Sequence, residues 1–283
     1  MANPVLTDKR FELQPEAAAG VAGGAPPPTL APETFAGEKR MTVGGTITAT
    51  LVLFALILAS GAFGWSQVQQ TSEPLFDAAT GAPILTSSGE QAVQNTTSLP
   101  GWLFIAALAG FGLAMVAIFK PKAAPFLAPL YALCYGAALG AISAVYNLSY
   151  DGIVVQAVLA TFSIFFVMLL LYVTRIIKVT KKFTMVVVAA TFGIMVMYLF
   201  TWIATIFGAD IAFWNEPSVL GIGITVAIII VGALNLALDF AFIERASAAG
   251  APRYMEWSGA LGITVTMVWI YLEVLRLLAM LRR

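Results

Sequence analysis

The sequence predicts an all-α membrane protein, a bundle of seven transmembrane helices. Hydrophobic residues make up 60% of the 283 residues and charged residues only 11%, whereas a soluble globular protein has about 45–50% and about 25%. Seven apolar windows of 18 to 25 residues match the roughly 20 residues that a helix needs to cross the hydrocarbon core. These windows are residues 44–65, 102–119, 124–146, 152–174, 184–207, 219–243 and 257–281. Only three of the charged residues lie inside them.

The first 43 residues precede the first window and contain no apolar run. They are rich in Ala, Gly and Pro, a composition typical of disordered segments. Because a secretory signal peptide needs an apolar stretch of its own, the sequence predicts that residues 1–43 form a disordered cytoplasmic tail. The first window, 44–65, is then expected to act as an uncleaved targeting signal.

The longest connection between two windows is residues 66–101, which are rich in Ser, Thr, Gln, Gly and Pro and contain no Lys or Arg. This external loop is long enough to fold on itself as a small cap, but it contains no constellation of catalytic residues. The other connections are short, so residues 44–283 are interpreted as one seven-span membrane domain.

Basic residues indicate the orientation of the bundle, because cytoplasmic loops of membrane proteins carry the excess of Lys and Arg. The tail and every second connection contain basic residues, whereas the connections between them contain none. The twelve basic residues on the first side are Lys9, Arg10, Lys39, Arg40, Lys120, Lys122, Arg175, Lys178, Lys181, Lys182, Arg245 and Arg253. The alternation predicts a cytoplasmic N-terminus and supports the first six spans.

The seventh window departs from this pattern, because a seventh span places Arg282 and Arg283 outside. The alternative is six spans followed by a re-entrant segment. Residues 257–281 contain no Pro and no Gly after Gly262, so nothing indicates the turn of a re-entrant hairpin. Terminal arginines can extend to the lipid headgroups, and seven spans with an external C-terminus are the preferred interpretation.

The composition excludes several classes of function. The chain has no histidine, which excludes Ser-His-Asp and Cys-His catalysis and imidazole metal ligands, and we expect no enzymatic activity. The single cysteine, Cys134, cannot form an internal disulfide. Zero net charge without a basic patch argues against nucleic acid as a partner. A retinal protein is excluded because no lysine lies inside a window.

The charged residues inside the windows need a partner, a cavity or a role, because an ionisable group in lipid costs at least about 2.5–3.5 kcal/mol. Asp239 has no basic residue one turn away in its own span, and Asn235 lies one turn before it. A cation or proton site is the preferred interpretation of Asp239, and a structural hydrogen bond, for example with Asn235, is the alternative. Glu273 and Arg276 are three residues apart, so they can form an ion pair that holds the last span in the bundle.

Two further glutamates, Glu244 and Glu256, flank the short connection between the sixth and seventh windows. We expect them to be solvated carboxylates at the membrane boundary. Their expected ion-pair partners are Arg245 or Arg253.

The position of each carboxylate along its span indicates which carboxylates can come into contact. Asp239 lies four residues from the inner end of its window, about 6 Å along a helix. Glu273 lies 16 residues from the inner end of the last window, about 24 Å along the helix. A straight antiparallel hairpin would therefore place Asp239 nearer to Glu256 than to Glu273.

Four segments carry a resemblance to a known family. Asn235-Leu-Ala-Leu-Asp239 leads through Phe240-Ala-Phe-Ile-Glu244 into a short polar loop, and Ile270-Tyr-Leu-Glu-Val-Leu-Arg-Leu-Leu278 lies in the last window. The two stretches resemble the Asp-bearing helix end and the last span of the Bax inhibitor 1 (YccA-like) family. Residues 155–162 and 180–184 are similar to the middle spans and the basic loop of that family. The resemblance covers roughly residues 40–283.

The resemblance implies a seven-helix bundle in which the last helix is central. Members of the family are associated with a pH-sensitive calcium leak across a membrane, and eukaryotic relatives with protection from stress-induced cell death. Paired carboxylates of the family share a proton and hold a pore shut, which agrees with the repulsion between like charges at short distance. Carried over to this sequence, Asp239 is the first carboxylate and Glu273 the second, and Glu256 is the alternative partner.

We therefore predict a pH-sensitive leak channel for calcium or protons in a bacterial plasma membrane. Its partners would be the lipid bilayer and the transported ion. The side chains supply oxygen donors, which suit hard cations, and calcium would bind transiently at Asp239 as the transported ion, not as a cofactor. The alternative is a non-conducting membrane protein with a regulatory or interaction role in a stress response, whose protein partners the sequence does not indicate.

Overall fold

The computed structural model describes residues 39–77, 80, 82–86, 89–98, 100–208 and 217–282. Seven helices in this part of the chain are long and apolar enough to cross a membrane, which confirms the predicted fold class. They are α1 Val43–Ser66, α2 Trp102–Phe119, α3 Ala124–Ser149, α4 Ile153–Val173, α5 Lys181–Ile206, α6 Val219–Ala248 and α7 Met255–Leu281. Residues 1–38 of the predicted tail lie outside the described residues.

The helices extend past several of the apolar windows. Helix α5 begins at Lys181, three residues before its window, and α6 continues to Ala248, five residues after its window. A window ends where hydropathy falls, but a helix ends where backbone hydrogen bonding ends. The Thr180 hydroxyl accepts a hydrogen bond from the Phe183 amide and caps the early start of α5.

The connection between α1 and α2 contains a two-stranded antiparallel hairpin. Strand β1 spans Gln69–Pro74 and strand β2 spans Val93–Ser98. Gln69 lies opposite Ser98, and Pro74 lies opposite Val93. The hydrogen bonds between the strands satisfy the backbone of this polar segment.

Helices α1 and α3 are in close contact through glycines. A Cβ atom at Gly140 would lie 2.6 Å from the Cα of Gly61, and one at Gly64 would lie 2.9 Å from the Cα of Ala137. A Cβ atom at Gly136 would lie 2.8 Å from the Cα of Ile57. A Cβ atom is not found this close to another carbon atom, so any larger residue would force the helices apart. The glycines therefore allow the backbones of α1 and α3 to approach closely, as small residues do in membrane helix pairs.

Helix α7 is the central helix of the bundle. It contacts α1, α2, α3, α4 and α6, and 67% of its most apolar stretch is buried, against 6% for α5. It is one continuous helix of 27 residues, so it does not have the turn of a re-entrant hairpin. The expected central position of the last helix is confirmed.

The residues before α1 pair with the connection between α6 and α7. The Met41 amide donates to the Ala251 carbonyl at 2.7 Å, and the Arg253 amide donates to the Lys39 carbonyl at 2.9 Å. Met41 is buried. These bonds fix the beginning of α1 beside the beginning of α7.

Candidate functional site

Asp239 is bonded to a hydroxyl group of the central helix. Its Oδ2 atom accepts a hydrogen bond from Thr266 Oγ1 at 2.7 Å, which joins α6 to α7. A Cβ atom at Gly262, one turn before Thr266, would lie 3.1 Å from Asp239 Oδ1. Glycine at this position therefore leaves room for the carboxylate against α7. The ion pairs formed by the described residues do not include Asp239.

Asn235 does not supply the hydrogen bond to Asp239 that was considered as the structural alternative. Its side-chain amide donates to Thr191 Oγ1 on α5 at 2.7 Å and to the Val231 carbonyl at 2.9 Å. The two polar side chains of α6 are one turn apart but form hydrogen bonds with different helices. Asn235 links α6 to α5, whereas Asp239 links α6 to α7.

Glu273 lies in a buried polar cluster with Arg276 and Tyr198. Arg276 Nη2 is 2.6 Å from Glu273 Oε2, which is the ion pair expected from the spacing of three residues. The Tyr198 hydroxyl on α5 donates to Glu273 Oε1, and the Arg276 guanidinium lies 5.8 Å from the centre of the Tyr198 ring. Arg276 also reaches Thr225 on α6 at 3.4 Å. The cluster therefore connects α5, α6 and α7 around one neutralised carboxylate.

Glu256 is a buried carboxylate, and the expectation that it is solvated is wrong. It is only 6% exposed. Its Oε1 atom accepts hydrogen bonds from both the amide and the hydroxyl of Thr42, each at 3.0 Å. Arg253 lies 3.6 Å from Oε2, as expected from the sequence. A Cβ atom at Gly45 would overlap the carboxylate, so the first turn of α1 forms a pocket around Glu256.

Glu244 pairs with Arg175 and not with the neighbouring Arg245. Arg175 Nη2 lies 2.5 Å from Glu244 Oε1, and the Tyr172 hydroxyl donates to Glu244 Oε2. Arg245 instead donates to the Val179 carbonyl at 2.9 Å. Consecutive residues point in directions about 100° apart on a helix, which explains why Glu244 and Arg245 find different partners.

The expectation that Asp239 lies nearer to Glu256 than to Glu273 is wrong. Asp239 lies nine residues before the end of α6 at Ala248, about 13 Å along the helix axis, and the last five residues of α6 extend past the apolar window. It faces Gly262 and Thr266, which lie about halfway between Glu256 and Glu273 along α7.

The three carboxylates are separated along α7. Thr266, which marks the level of Asp239, lies seven residues before Glu273, about 10 Å along the helix. It lies ten residues after Glu256, about 15 Å. Seven residues make almost two full turns, so Thr266 and Glu273 share a face of α7, whereas Glu256 projects about 80° away toward α1. Asp239 and Glu273 thus lie along the same side of the central helix without direct contact.

Some partners of the carboxylates could not be recognised from the sequence. Tyr198 and Thr266 are isolated polar residues in apolar spans, and such residues are as often packing elements as site residues. One signal was available for Thr266, which follows Gly262 by four residues on the face that carries Glu273. Tyr198 is the only tyrosine in its window, but nothing in its spacing points to Glu273.

The described residues contain no group of three or more acidic or cysteine side chains that could hold a metal ion. A cation at Asp239 would therefore have one carboxylate and neighbouring neutral oxygens as ligands. Such a site suits a transient hard cation more than a tightly held one.

Seven apolar helices with α7 at their centre, and with carboxylates buried between them, define a polytopic helical membrane protein. The sequence model of the Bax inhibitor 1 like family matches residues 3–283. The chain therefore belongs to this family over nearly its whole length. No curated protein and no solved structure shows a significant match to the chain.

Proposed function

We propose that the protein is a pH-sensitive leak channel for calcium or protons, with Asp239 as the carboxylate that senses protons and contacts the ion. The observation that carries the proposal is the bonding of Asp239, which accepts one hydrogen bond from Thr266 and takes part in no ion pair among the described residues. An ionisable side chain without a countercharge inside a membrane bundle is expected to have a functional role.

Glu273 is the proposed second carboxylate of the pathway. It lies about 10 Å from the level of Asp239 on the same side of α7, and Arg276 neutralises it at 2.6 Å. In the proposed closed state, Arg276 occupies the position that a passing cation would need beside Glu273. Conduction then requires the cation to compete with Arg276, while the charge of Asp239 determines whether a cation enters the pathway.

Three further polar residues hold the helices next to the proposed pathway in place: Glu256, Asn235 and Glu244. Glu256 holds the start of α1 through Thr42, Asn235 holds α5 through Thr191, and Glu244 is bonded at the end of α6. Each fixes a neighbour of the proposed pathway. Glu256 remains the alternative second carboxylate, and the flux experiment below discriminates between it and Glu273.

The proposed location is a bacterial plasma membrane, with the N-terminus in the cytoplasm and the C-terminus outside. The alternation of basic connections supports this orientation. Under it, Glu256 lies near the cytoplasmic side, Asp239 near the middle, and Glu273 nearer the outside.

The proposal is tested by calcium flux into liposomes that contain the purified protein, measured while the external pH is stepped. Wild type should show a flux that changes with pH. Asp239→Asn fixes this side chain in a neutral form, so its flux should no longer depend on pH. Thr266→Val removes the hydrogen bond to Asp239 and should shift the pH dependence. Thr264→Val is the matched control, because Thr264 is fully buried and bonds to Ala260 in its own helix.

The same flux assay identifies the second carboxylate when it is repeated with the variants Glu256→Gln and Glu273→Gln. The variant that shifts the pH dependence is coupled to Asp239, and we expect this to be Glu273→Gln. The proposal is refuted if wild type shows no pH-dependent calcium or proton flux, or if Asp239→Asn leaves the pH dependence unchanged.

The second candidate is a non-conducting regulatory membrane protein. The observation that favours it is that Glu256 and Glu273 are each engaged by two residues of the bundle, as expected for purely structural groups. Absence of flux in liposomes, together with a stable partner recovered by crosslinking in the membrane, would support this function over the channel.

A further inference from the structure

A cavity of about 360 Å³ with charged side chains in its wall lies where the end of α4, the connection to α5 and the end of α6 meet. It is on the side of the bundle that carries the basic connections. Its lining residues include Tyr172, Arg175, Lys178, Val179, Glu244 and Arg245. None of them belongs to the proposed ion pathway.

The cavity has a surplus of positive charge. Three cationic side chains, Arg175, Lys178 and Arg245, line it together with one carboxylate, Glu244. Arg175 neutralises Glu244 at 2.5 Å. The charges of Lys178 and Arg245 are not balanced by any ion pair found among the described residues, so the cavity is suited to an anion.

The backbone of the cavity wall is held in an unusual conformation. Arg175 has a φ of 59°, in the left-handed region that non-glycine residues seldom adopt. Its side chain forms the ion pair with Glu244, and its guanidinium lies 5.7 Å from the centre of the Tyr172 ring. Arg175 directly follows the C-cap residue Thr174 of α4, where helices commonly end in this conformation, so the end of α4 positions Arg175 at the cavity.

Exposed apolar side chains lie next to lining residues of the cavity in the sequence. Val173 is 66% exposed and Ile176 is 70% exposed, although both are large and hydrophobic. They follow the lipid-facing part of α4, so acyl chains are their natural surroundings. A ligand that meets both the cations and these side chains must have an anionic head and an apolar body.

We propose that this cavity binds the phosphate headgroup of an anionic phospholipid, with Lys178 and Arg245 as its cationic contacts. Guanidinium and ammonium groups bind phosphate oxygens by charge-assisted hydrogen bonds. Basic pockets between transmembrane helices on the cytoplasmic side are suited to anionic lipid headgroups, and the positive-inside pattern predicts that this cavity faces the cytoplasm. Free inorganic phosphate shares the same chemistry, and the experiment separates the two sources.

The test is binding of phosphatidylglycerol to the delipidated full chain in a non-ionic detergent, measured by native mass spectrometry. Phosphatidylcholine and inorganic phosphate are titrated in parallel. A cationic side chain near an anionic lipid contributes a factor of about five in affinity. We expect Lys178→Gln to weaken phosphatidylglycerol binding about fivefold and Lys178→Gln/Arg245→Gln to weaken it roughly 30-fold. Lys120→Gln/Lys122→Gln, which removes two exposed cations from another basic connection, should retain wild-type binding.

Three outcomes would overturn the proposal. The first is equal binding of phosphatidylglycerol and phosphatidylcholine to wild type. The second is an equal loss of binding in the Lys120→Gln/Lys122→Gln control, which indicates nonspecific attraction. The third is variant-sensitive binding of inorganic phosphate without a preference for phosphatidylglycerol, which assigns the cavity to a soluble anion. Lys178→Gln alone changes one exposed side chain, so it keeps the test valid if the double variant does not fold.

Discussion

Replacing Arg276 by Gln is expected to destabilise the bundle by about 3–5 kcal/mol, because it leaves a buried carboxylate without its countercharge. The side chains of Arg276 and Glu273 are only 17% and 7% exposed. After the substitution, Glu273 would keep the hydrogen bond from Tyr198 but would lose the ion pair at 2.6 Å. The predicted cost corresponds to a decrease of roughly two to three and a half orders of magnitude in the folding equilibrium constant.

The Arg175–Glu244 pair is the matched comparison within the same chain. Its distance is similar, 2.5 Å, but its side chains are 64% and 44% exposed. Exposed ion pairs contribute about 0–1 kcal/mol because water and ions screen them. Arg175→Gln should therefore cost at most about 1 kcal/mol, although it removes the same kind of charge.

The assay is unfolding in mixed micelles with increasing dodecyl sulfate, followed by circular dichroism. It is repeated for Glu273→Gln and for the double variant Glu273→Gln/Arg276→Gln. The double variant should be more stable than Arg276→Gln alone, because it removes the unpaired carboxylate together with its partner. The reasoning is refuted if Arg276→Gln costs no more than Arg175→Gln, or if the double variant loses the sum of the two single effects.

Two packing contacts give further predictions in the same unfolding assay. Gly140→Ala should destabilise by about 1–3 kcal/mol, because the new Cβ overlaps Gly61 of α1 and forces α1 and α3 apart. Gly193→Ala has no atom within 4 Å of the new Cβ and should be neutral or slightly stabilising, so an equal loss in both variants would contradict the packing explanation. Tyr271→Phe removes the buried 2.7 Å hydrogen bond between the Tyr271 hydroxyl and Ser143 and should cost about 0.6–1.7 kcal/mol. If Tyr271→Phe still destabilises in the Ser143→Ala background by the same amount, the bond is not the cause.

The number and order of the spans could be predicted from the sequence because each depends on local hydropathy. The apolar windows and the near absence of charge within them identify helices whatever their neighbours are. Asp239 could be recognised as unusual for the same reason, since no basic residue lies one turn away in its span.

The partners of the carboxylates could not be predicted because they depend on how the helices are placed against each other. Asp239 on α6 meets Thr266 on α7, 27 residues further along the chain, and no spacing within one span indicates this contact. Glu244 meets Arg175, 69 residues away, although Arg245 is adjacent in sequence. A spacing rule applies to residues a few positions apart, so it identified Glu273–Arg276 within α7 and Glu256–Arg253 at the start of α7, and it missed the bonds between helices.

The hydrogen bonds from Thr42 to Glu256 have a consequence for the order of assembly during synthesis. The two residues are 214 positions apart, so α1 enters the membrane long before the residue that binds its first turn has been made. Until α7 arrives, the Thr42 amide and the glycine-lined space at Gly45 have no carboxylate to fill them. The beginning of the bundle is therefore completed by its last helix, and a nascent chain that stops before Glu256 would lack both hydrogen bonds between Thr42 and Glu256.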